Sequence, residues 1–272
     1  MASFHAQGGK MRPEAALASL QVTSATVIRP LQLGPLAHSW LVECSGERAV
    51  LRIDQPAAAA MGLDRAAEFA RLTAVAGVGL GPLPIAADAA QGLLLRRHIE
   101  GGAWQAADLQ SPAKLQRAAA LLRRVHGAQV TAPALDLHAA IDRYARLAGP
   151  GASPLAAAAV SQLARCRDPR APLVFCHNDP VADNFVAGPE ATGQLWLIDW
   201  EYSGFNQFWF DLAVVLGHHE LPAALGETVL GAYFGRRATA AEVRRLADWC
   251  TFYASLASLW VAGLETCSAN HP

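Results

Sequence analysis

The stretch that decides the fold is FCHNDPVADNF at residues 175–185, and LIDWEY follows it at residues 197–202. The first segment places His177, Asp179 and Asn184 at the spacing H-x-D-x-x-x-x-N, and the second adds another acid after a short apolar run. A polar turn between buried strands needs neither the Asp/Asn pair nor the second acid. The two segments together therefore indicate a chemical site rather than a simple turn.

The step from Asp179 to Asn184 predicts a loop. Pro180 removes a backbone donor and biases the residue before it away from helical geometry, which argues against a helical turn at this point. Apolar runs at 173–176 and 194–198 flank the polar residues and are typical of short buried strands.

The residue types and spacing are typical of enzymes that move a phosphoryl group from ATP. Asp179 would accept the proton of an attacking hydroxyl, and Asn184 and Asp199 would supply the hard oxygen ligands that Mg²⁺ prefers. We expect His177 to brace the loop by hydrogen bonding. Asp211 is expected either to accept hydrogen bonds from the loop backbone or to cap the helix that it opens.

Composition limits the class of protein. A chain of 272 residues with 53% hydrophobic side chains can bury a large core. Its net charge of −1 argues against a nucleic-acid or anionic-membrane partner, and no apolar run reaches the roughly 18 residues that span a bilayer. The beginning lacks a secretory h-region, and five cysteines without C-x-x-C pairing predict reduced thiols in a cytoplasmic protein.

The order of elements predicts an α+β, bilobal, protein-kinase-like fold. A small N-terminal antiparallel sheet plus helix would form a nucleotide-binding lobe at 1–99, and a larger, mainly helical catalytic and substrate-binding lobe would follow at 100–272. Glycines at 101 and 102 are typical of a hinge between them. The sequence pattern predicts helices at 13–20 and 61–75 and strands at 22–28, 39–44, 48–53 and 91–99.

Phosphate binding by this type of site needs a cation on the third strand and a glutamate on the next helix to hold it. The chain has only two lysines, and neither lies in that strand. Arg52 stands there instead, and its planar fork can grip phosphate oxygens. Glu68, sixteen residues further on, is the predicted partner of Arg52, although Arg65 and Arg71 could instead hold it in a solvent-side ion pair.

The loop that should cover the phosphates has a weak signal. Residues 33–40 contain one glycine, Gly34, and a proline that contributes no donor. Ser39 could donate its hydroxyl to the nucleotide, and a turn with no ligand is the alternative. His98, at the end of the predicted strand 91–99, is a further candidate nucleotide-binding residue.

Two groups late in the chain invite other interpretations. His218 and His219 are adjacent, and neighbours on a helix point about 100° apart, so a shared zinc ion is disfavoured. Most late aromatic residues must be core. Trp200 or Trp260 beside an acid such as Glu201 could form a cation–π wall for a charged substrate.

These segments resemble the aminoglycoside phosphotransferase and choline kinase superfamily, most closely its bacterial choline/ethanolamine kinase-like branch. The resemblance implies the bilobal kinase-like fold, ATP with Mg²⁺, and a small hydroxyl-bearing substrate. It also makes arginine at position 52 less unusual. It is carried by residues 177–185, 198–204, 210–212, 50–53 and 99–101, with a looser match at 258–260.

The acceptor stays open at this point. Choline kinases carry an acid seven residues after the helix aspartate, where this chain has His218, so His218 is a candidate substrate residue. We expect an ATP-dependent kinase that phosphorylates a small alcohol similar to choline or ethanolamine. The alternatives are an aminoglycoside or thiamine kinase, a catalytically idle nucleotide-binding module, and a metal hydrolase that uses the late His and Asp residues; the oligomeric state is open.

Overall fold

The fold is mixed α+β, with an antiparallel sheet early in the chain and mainly helices after it, and the predicted fold class is confirmed. The computed structural model describes residues 11–189 and 193–270. Within those ranges, no helix combines the length and the apolar character needed to cross a membrane.

The described residues group into two compact units. The predicted boundary between residues 99 and 100 stays a prediction, and it would assign residues 56–83 to the earlier lobe. In the structure this segment contacts the later part of the chain. One such contact is the hydrogen bond that Arg71 donates to Ser203 at 3.0 Å. The first unit holds residues 11–55 with Pro84–His98, and the second holds Pro56–Leu83 with residues 99–270.

An antiparallel sheet in the order β1-β2-β3-β5-β4 forms most of the first unit. The predicted early strands are all present, although β1 lies a few residues later than expected, and β4 is an addition. Helix α1 (Pro13–Ser19) precedes the sheet, as predicted. The strands are β1 (Ala25–Leu33), β2 (Ala37–Cys44), β3 (Glu47–Asp54), β4 (Pro84–Asp88) and β5 (Leu93–Arg97).

A two-residue turn sets the register of β2 and β3. Cys44 lies opposite Glu47, and the residues between them, Ser45 and Gly46, have φ of 53° and 82°. A turn with two positive φ values matches the right-handed twist of the flanking strands, and Gly46 adopts such a φ without strain. The register turns one face of the sheet toward α1 and builds a core from Ala16, Leu17, Val42, Ala49, Leu51, Ile53, Leu93 and Leu95.

Helices dominate the second unit, with short strands around the polar loop. The long helix α10 (Ala240–Asn270) packs on α6, α7 and α8, and its Trp249 and Phe252 are fully buried. The other helices are α2 (Pro56–Ala60), α3 (Arg65–Gly77), α4 (Ala106–Leu109), α5 (Pro112–His126), α6 (Leu137–Ala148), α7 (Ser153–Cys166), α8 (Trp209–Gly217) and α9 (Leu225–Phe234). The strands are β6 (Gly102–Ala103), β7 (Val174–Cys176), β8 (Phe185–Ala187), β9 (Leu195–Leu197) and β10 (Gly204–Asn206).

The helix predicted at 61–75 begins only at Arg65, because a short break separates it from α2. Gly62 has φ of +84°, a left-handed conformation that ends α2. Asp64 then caps α3 by accepting a hydrogen bond from the backbone N–H of Ala67 at 3.0 Å. The apolar pattern continued across this break and therefore hid it.

We expect the sheet core to dominate the stability of the first unit. Leu51 is fully buried, so Leu51→Ala should lower the free energy of unfolding by about 2–5 kcal/mol through lost burial and a residual cavity. Leu33→Ala is the matched control, because Leu33 is 63% exposed and its truncation should change stability by less than about 0.5 kcal/mol. Chemical denaturation measures both, and equal losses would contradict this account of the core.

Candidate active site

Strand pairing brings the two halves of the polar motif together. Asp179 follows β7, Asn184 immediately precedes β8, and Asp199 lies two residues after β9. Because β8 and β9 pair antiparallel, the residues at their open ends are neighbours: the backbone N–H of Ile198 donates to the carbonyl of Asn184 at 3.0 Å. The two predicted metal ligands therefore lie at one end of a single hairpin.

Asn184 also holds Asp179. Its Nδ2 donates to the Asp179 carbonyl at 2.8 Å and to Asp179 Oδ2 at 3.3 Å. Both bonds use the donor end of the amide, which leaves Oδ1 available to a cation. Desolvation by the surrounding protein raises the pKa of Asp179 well above its ordinary value, and the charges of Asp199 and Glu201 add to the rise. Several acids therefore converge on this loop.

His177 links the loop to the segment after β9. Its Nδ1 accepts from the backbone N–H of Asp179 at 3.3 Å, so Nε2 carries the proton and donates to the Ile198 carbonyl at 2.9 Å. Burial lowers the pKa of His177, which favours this neutral form. Its ring also meets Trp200 edge-on at 4.7 Å. The contacts are those of a bracing residue, the role that the sequence predicts.

A fully buried carboxylate, Asp211 of α8, fixes the beginning of the loop. Its two oxygens accept the backbone N–H groups of His177 at 2.9 Å and Asn178 at 2.7 Å. His126, at the end of α5, contacts the same carboxylate at 3.0 Å through Nε2, and its Nδ1 meets the Tyr233 hydroxyl at 2.7 Å. Of the two roles predicted for Asp211, the structure shows the hydrogen bonds to the loop backbone.

Asn178 is a structural residue that the sequence interpretation missed. It adopts a left-handed conformation, with φ of 65°, and is buried. Its Nδ2 donates to the carbonyls of Tyr202 and Gly204 at 3.0 and 3.3 Å, and its Oδ1 accepts from Asn206 at 3.0 Å. Its position inside the H-x-D motif was the available signal. His126 had none beyond its place at a helix end.

One buried cluster has the residue types of a metal site. Ligand atoms of His126, Cys176 and Asp211 lie within 4.8 Å of one another. Burial raises the pKa of Cys176 well above its ordinary value, with the charge of Asp211 adding to it, so the thiolate that a metal needs is disfavoured. The His126 and Asp211 atoms already share hydrogen bonds. The cluster is best explained as packing behind the loop.

Arg65 connects α3 to the segment after β9. Its Nη1 pairs with Glu68 at 2.8 Å and with Glu201 at 2.6 Å. The three side chains are only 3–10% exposed, so the competing pair predicted at the solvent surface is buried instead. Arg71 adds a bond from Nη2 to the Glu201 carbonyl at 3.1 Å. The Arg65 side chain thus forms ion pairs with both Glu68 and Glu201.

The predicted phosphate-binding residues of the first unit lie on its sheet. Arg52 of β3 is the register partner of Ser39 on β2, which places both side chains on the same face of the sheet. Arg52 Nε lies 3.6 Å from Asp54 Oδ1. Glu68 belongs to the second unit, and the pairing of Arg52 with Glu68 stays a prediction.

Gly34 and His98 have backbone roles in the same sheet. The N–H of Gly34 donates to the Ala37 carbonyl at 3.0 Å and closes the turn between β1 and β2. The N–H of His98 donates to the Arg48 carbonyl at 3.1 Å and extends the pairing of β5 with β3. Nucleotide contacts by these two residues stay predictions.

Trp200 is a core residue in this structure. It is 1% exposed, stacks on Phe175 with ring centroids 6.0 Å apart, and donates from Nε1 to the Leu197 carbonyl at 3.1 Å. A direct substrate contact is therefore not the role that the structure gives Trp200. Trp200 follows the apolar strand β9 (Leu195–Leu197) and is buried with it, which the sequence pattern alone did not reveal.

The adjacent histidines after α8 have separate partners. His218 Nδ1 contacts the Tyr253 hydroxyl at 2.7 Å, whereas His219 Nε2 accepts the backbone N–H of Ala182 at 3.1 Å. Burial lowers the pKa of both rings. His219 therefore anchors the 3₁₀ turn that ends at Asn184, which is another contact that the sequence did not reveal.

Trp260 and Tyr202 form a hydrogen-bonded aromatic pair. Trp260 Nε1 donates to the Tyr202 hydroxyl at 3.0 Å. Tyr202 directly follows Glu201, so the predicted substrate residues Trp260 and Glu201 are linked through one intervening side chain. A contact between them and a substrate stays a prediction.

Comparison with known proteins identifies the family of the chain. A family described as a phosphotransferase enzyme family matches residues 27–249. No curated protein sequence matches the chain. Because the family match covers residues 27–249, the chain belongs to this phosphotransferase family. It is a phosphotransferase of the superfamily that includes the aminoglycoside phosphotransferases and choline kinases, as the sequence predicts.

Solved structures give the same fold. A choline/ethanolamine kinase family protein from Mesorhizobium loti is 26% identical, with a TM-score of 0.73 over 95% of this chain and 87% of that one. The choline kinase LicA from Streptococcus pneumoniae is 21% identical, with a TM-score of 0.74 over 93% and 89%, and LicA has also been solved with AMP. An aminoglycoside-3'-phosphotransferase of type VIII is 20% identical, with a TM-score of 0.61 over 89% and 98%.

We expect Asp211 to be essential for the stability of the loop. Asp211→Ala would leave the buried N–H groups of His177 and Asn178 without an acceptor, which should lower the free energy of unfolding by about 2–5 kcal/mol. The control is Asp183→Ala, since Asp183 is exposed in the same loop. Urea denaturation followed by circular dichroism measures both, and a wild-type midpoint for Asp211→Ala would contradict the assignment.

Proposed function

We propose that the protein is an ATP-dependent small-molecule kinase that transfers the γ-phosphate to a hydroxyl of a small alcohol. The observation that carries the proposal is the convergence of Asp179, Asn184 and Asp199 at the open end of the β8–β9 hairpin. These are the residue types that place a base beside a metal-bound phosphate chain. Membership of the phosphotransferase family supports the reaction type.

The residues fit Mg²⁺ by the chemistry of their donor atoms. Asn184 Oδ1 and the Asp199 carboxylate are hard oxygen ligands. The rise in the pKa of Asp179, part of which comes from the charge of Asp199, reflects an accumulation of negative charge that a divalent cation would relieve. Mg²⁺ with ATP, when bound, would supply the transferable phosphoryl group and the positive charge that keeps Asp179 ionised.

The chain itself would position the reacting hydroxyl. Asp179 would accept the proton of the acceptor through its carboxylate while its backbone is held from two sides. Asn184 bonds to its carbonyl, and His177 accepts its N–H. A base fixed in this way needs little reorganisation when the acceptor arrives, which is the main contribution that a protein makes to phosphoryl transfer.

Nucleotide binding would use the face of the sheet that carries Arg52. Its guanidinium would grip the phosphate oxygens, and the Ser39 hydroxyl opposite it in the sheet would add a donor. We propose that Glu68 orients Arg52. Gly34 and His98 are the remaining proposed nucleotide contacts.

For the acceptor we propose a small cationic alcohol of the choline or ethanolamine type. The choline/ethanolamine kinase family protein and LicA, with TM-scores of 0.73 and 0.74, support this over an aminoglycoside acceptor, whose phosphotransferase has a TM-score of 0.61. Glu201, His218 and Trp260 are the proposed acceptor-side residues. An ADP-release assay with choline, ethanolamine, thiamine and aminoglycosides separates these classes of acceptor.

The proposed base gives a direct test. Asp179→Asn should still bind Mg-ATP but lose about 10²–10⁴-fold in kcat, because the amide cannot take the proton. Asp183→Asn is the matched control in the same loop and should retain turnover, since Asp183 is exposed. The measurements are ADP release and the thermal shift produced by Mg-ATP. Turnover at the wild-type rate in Asp179→Asn would refute the role, and stabilisation of the wild type without ADP release from any acceptor would indicate an idle binding module.

A further inference from the structure

A cavity of ≈ 200 Å³ lies within the second unit, and its lining includes Glu201, one of the proposed acceptor-side residues. Its walls come from the loop before α3, from α3 itself, from the first half of α6 and from the segment at 201–204. This volume is more than ten times the roughly 10–15 Å³ that one water needs, which suits a small ligand.

Three hydrogen-bond donors on the cavity wall are not fully used. Arg143 is half-buried and makes no hydrogen bond or ion pair with a described residue. Arg71, only 6% exposed, donates from Nε to Ser203 and from Nη2 to the Glu201 carbonyl, whereas Nη1 has no partner among the described residues. Tyr144 is also 6% exposed, and its hydroxyl has no hydrogen bond to any described residue. Because these three side chains line the cavity, their unused donors can bind a ligand with acceptor atoms.

The acids on the same wall already have partners. Asp64 accepts the N–H of Ala67 at 3.0 Å, and Asp136 accepts the N–H of Ala139 at 3.0 Å. Each caps a helix, where the N-terminal dipole also offsets its charge. Glu201 pairs with Arg65 at 2.6 Å. Neither cavity arginine, by contrast, has a carboxylate in hydrogen-bond contact among the described residues, so both keep guanidinium donors for a ligand.

The backbone makes room for the Arg143 head group. Gly62 has φ of +84°, and a Cβ at this position would lie 1.9 Å from Arg143 Nη1. The guanidinium therefore lies directly against the glycine backbone, where any larger residue would displace it. The absence of a side chain at Gly62 therefore leaves room for one of the two cavity arginines.

We propose that this cavity is an anion site, which binds the carboxylate or phosphate group of a small molecule through Arg143, Arg71 Nη1 and the Tyr144 hydroxyl. Guanidinium groups match the geometry of both anions. Burial raises the pKa of Tyr144 to about 12, with the charges of Glu201 and Asp179 adding to the rise, so the hydroxyl stays a donor at neutral pH. The anion is either a substituent of the phosphate acceptor or a separate small ligand.

Titration of inorganic phosphate, with and without Mg-ADP, tests the site independently of the proposed function. We expect wild-type protein to bind phosphate, and Arg143→Gln to raise its Kd by roughly tenfold or more through loss of a charge-assisted hydrogen bond. Tyr144→Phe should weaken binding without changing charge. Arg146→Gln is the matched control, because it removes the same charge from an exposed position on α6. Absence of phosphate binding, or the same Kd in all four proteins, would overturn the proposal.

A comparison of kinase activity with ethanolamine and L-serine, which differ by one carboxylate, decides the source of the anion. This arm depends on the proposed kinase activity. A selective loss of kcat/KM for serine in Arg143→Gln, roughly tenfold, places the anion on the acceptor. Equal kcat/KM values before and after the substitution, together with lost phosphate affinity, place it on a separate ligand. If no acceptor is phosphorylated, the proposed function fails, whereas the phosphate titration still decides the anion site.

Discussion

The buried carboxylate of Asp211 is the interaction on which the candidate site depends. It accepts two consecutive backbone N–H groups, those of His177 and Asn178, and so fixes the direction in which the chain leaves β7. Buried N–H groups are costly without acceptors, so the position of Asp211 on α8 stabilises the loop. His126 and Tyr233 extend the same network toward α5 and α9.

A second constraint is the unusual backbone on both sides of the site. Asn178 and Asp199 have φ of 65° and 64°, a conformation that costs on the order of 1 kcal/mol or more in non-glycine residues. The surrounding hydrogen bonds hold the first of them in place, since the Asn178 side chain contacts three neighbours. One strained residue directly precedes the proposed base Asp179, and the other is the proposed metal ligand Asp199, so the strain lies where it commonly occurs in enzymes.

Arginines of α3 join the site to the proposed anion cavity. Arg65 pairs with Glu68 and Glu201, and Arg71 holds the carbonyl of Glu201. The segment after β9 is therefore tied to α3 on one side and, through Asp199, belongs to the proposed metal site on the other.

The sequence by itself determined the reaction class, the antiparallel sheet and the positions of the polar residues, because motif spacing, strand alternation and turn glycines are local properties. Asp179, Asn184 and Asp199 needed no structure to be named. Only the tertiary structure decided that Trp200 is core, that the Arg65 pair is buried, and that His126, Asn178 and His219 hold the loop. These roles depend on contacts between residues distant in the chain, where local pattern carries no information about which face of a helix or strand is covered.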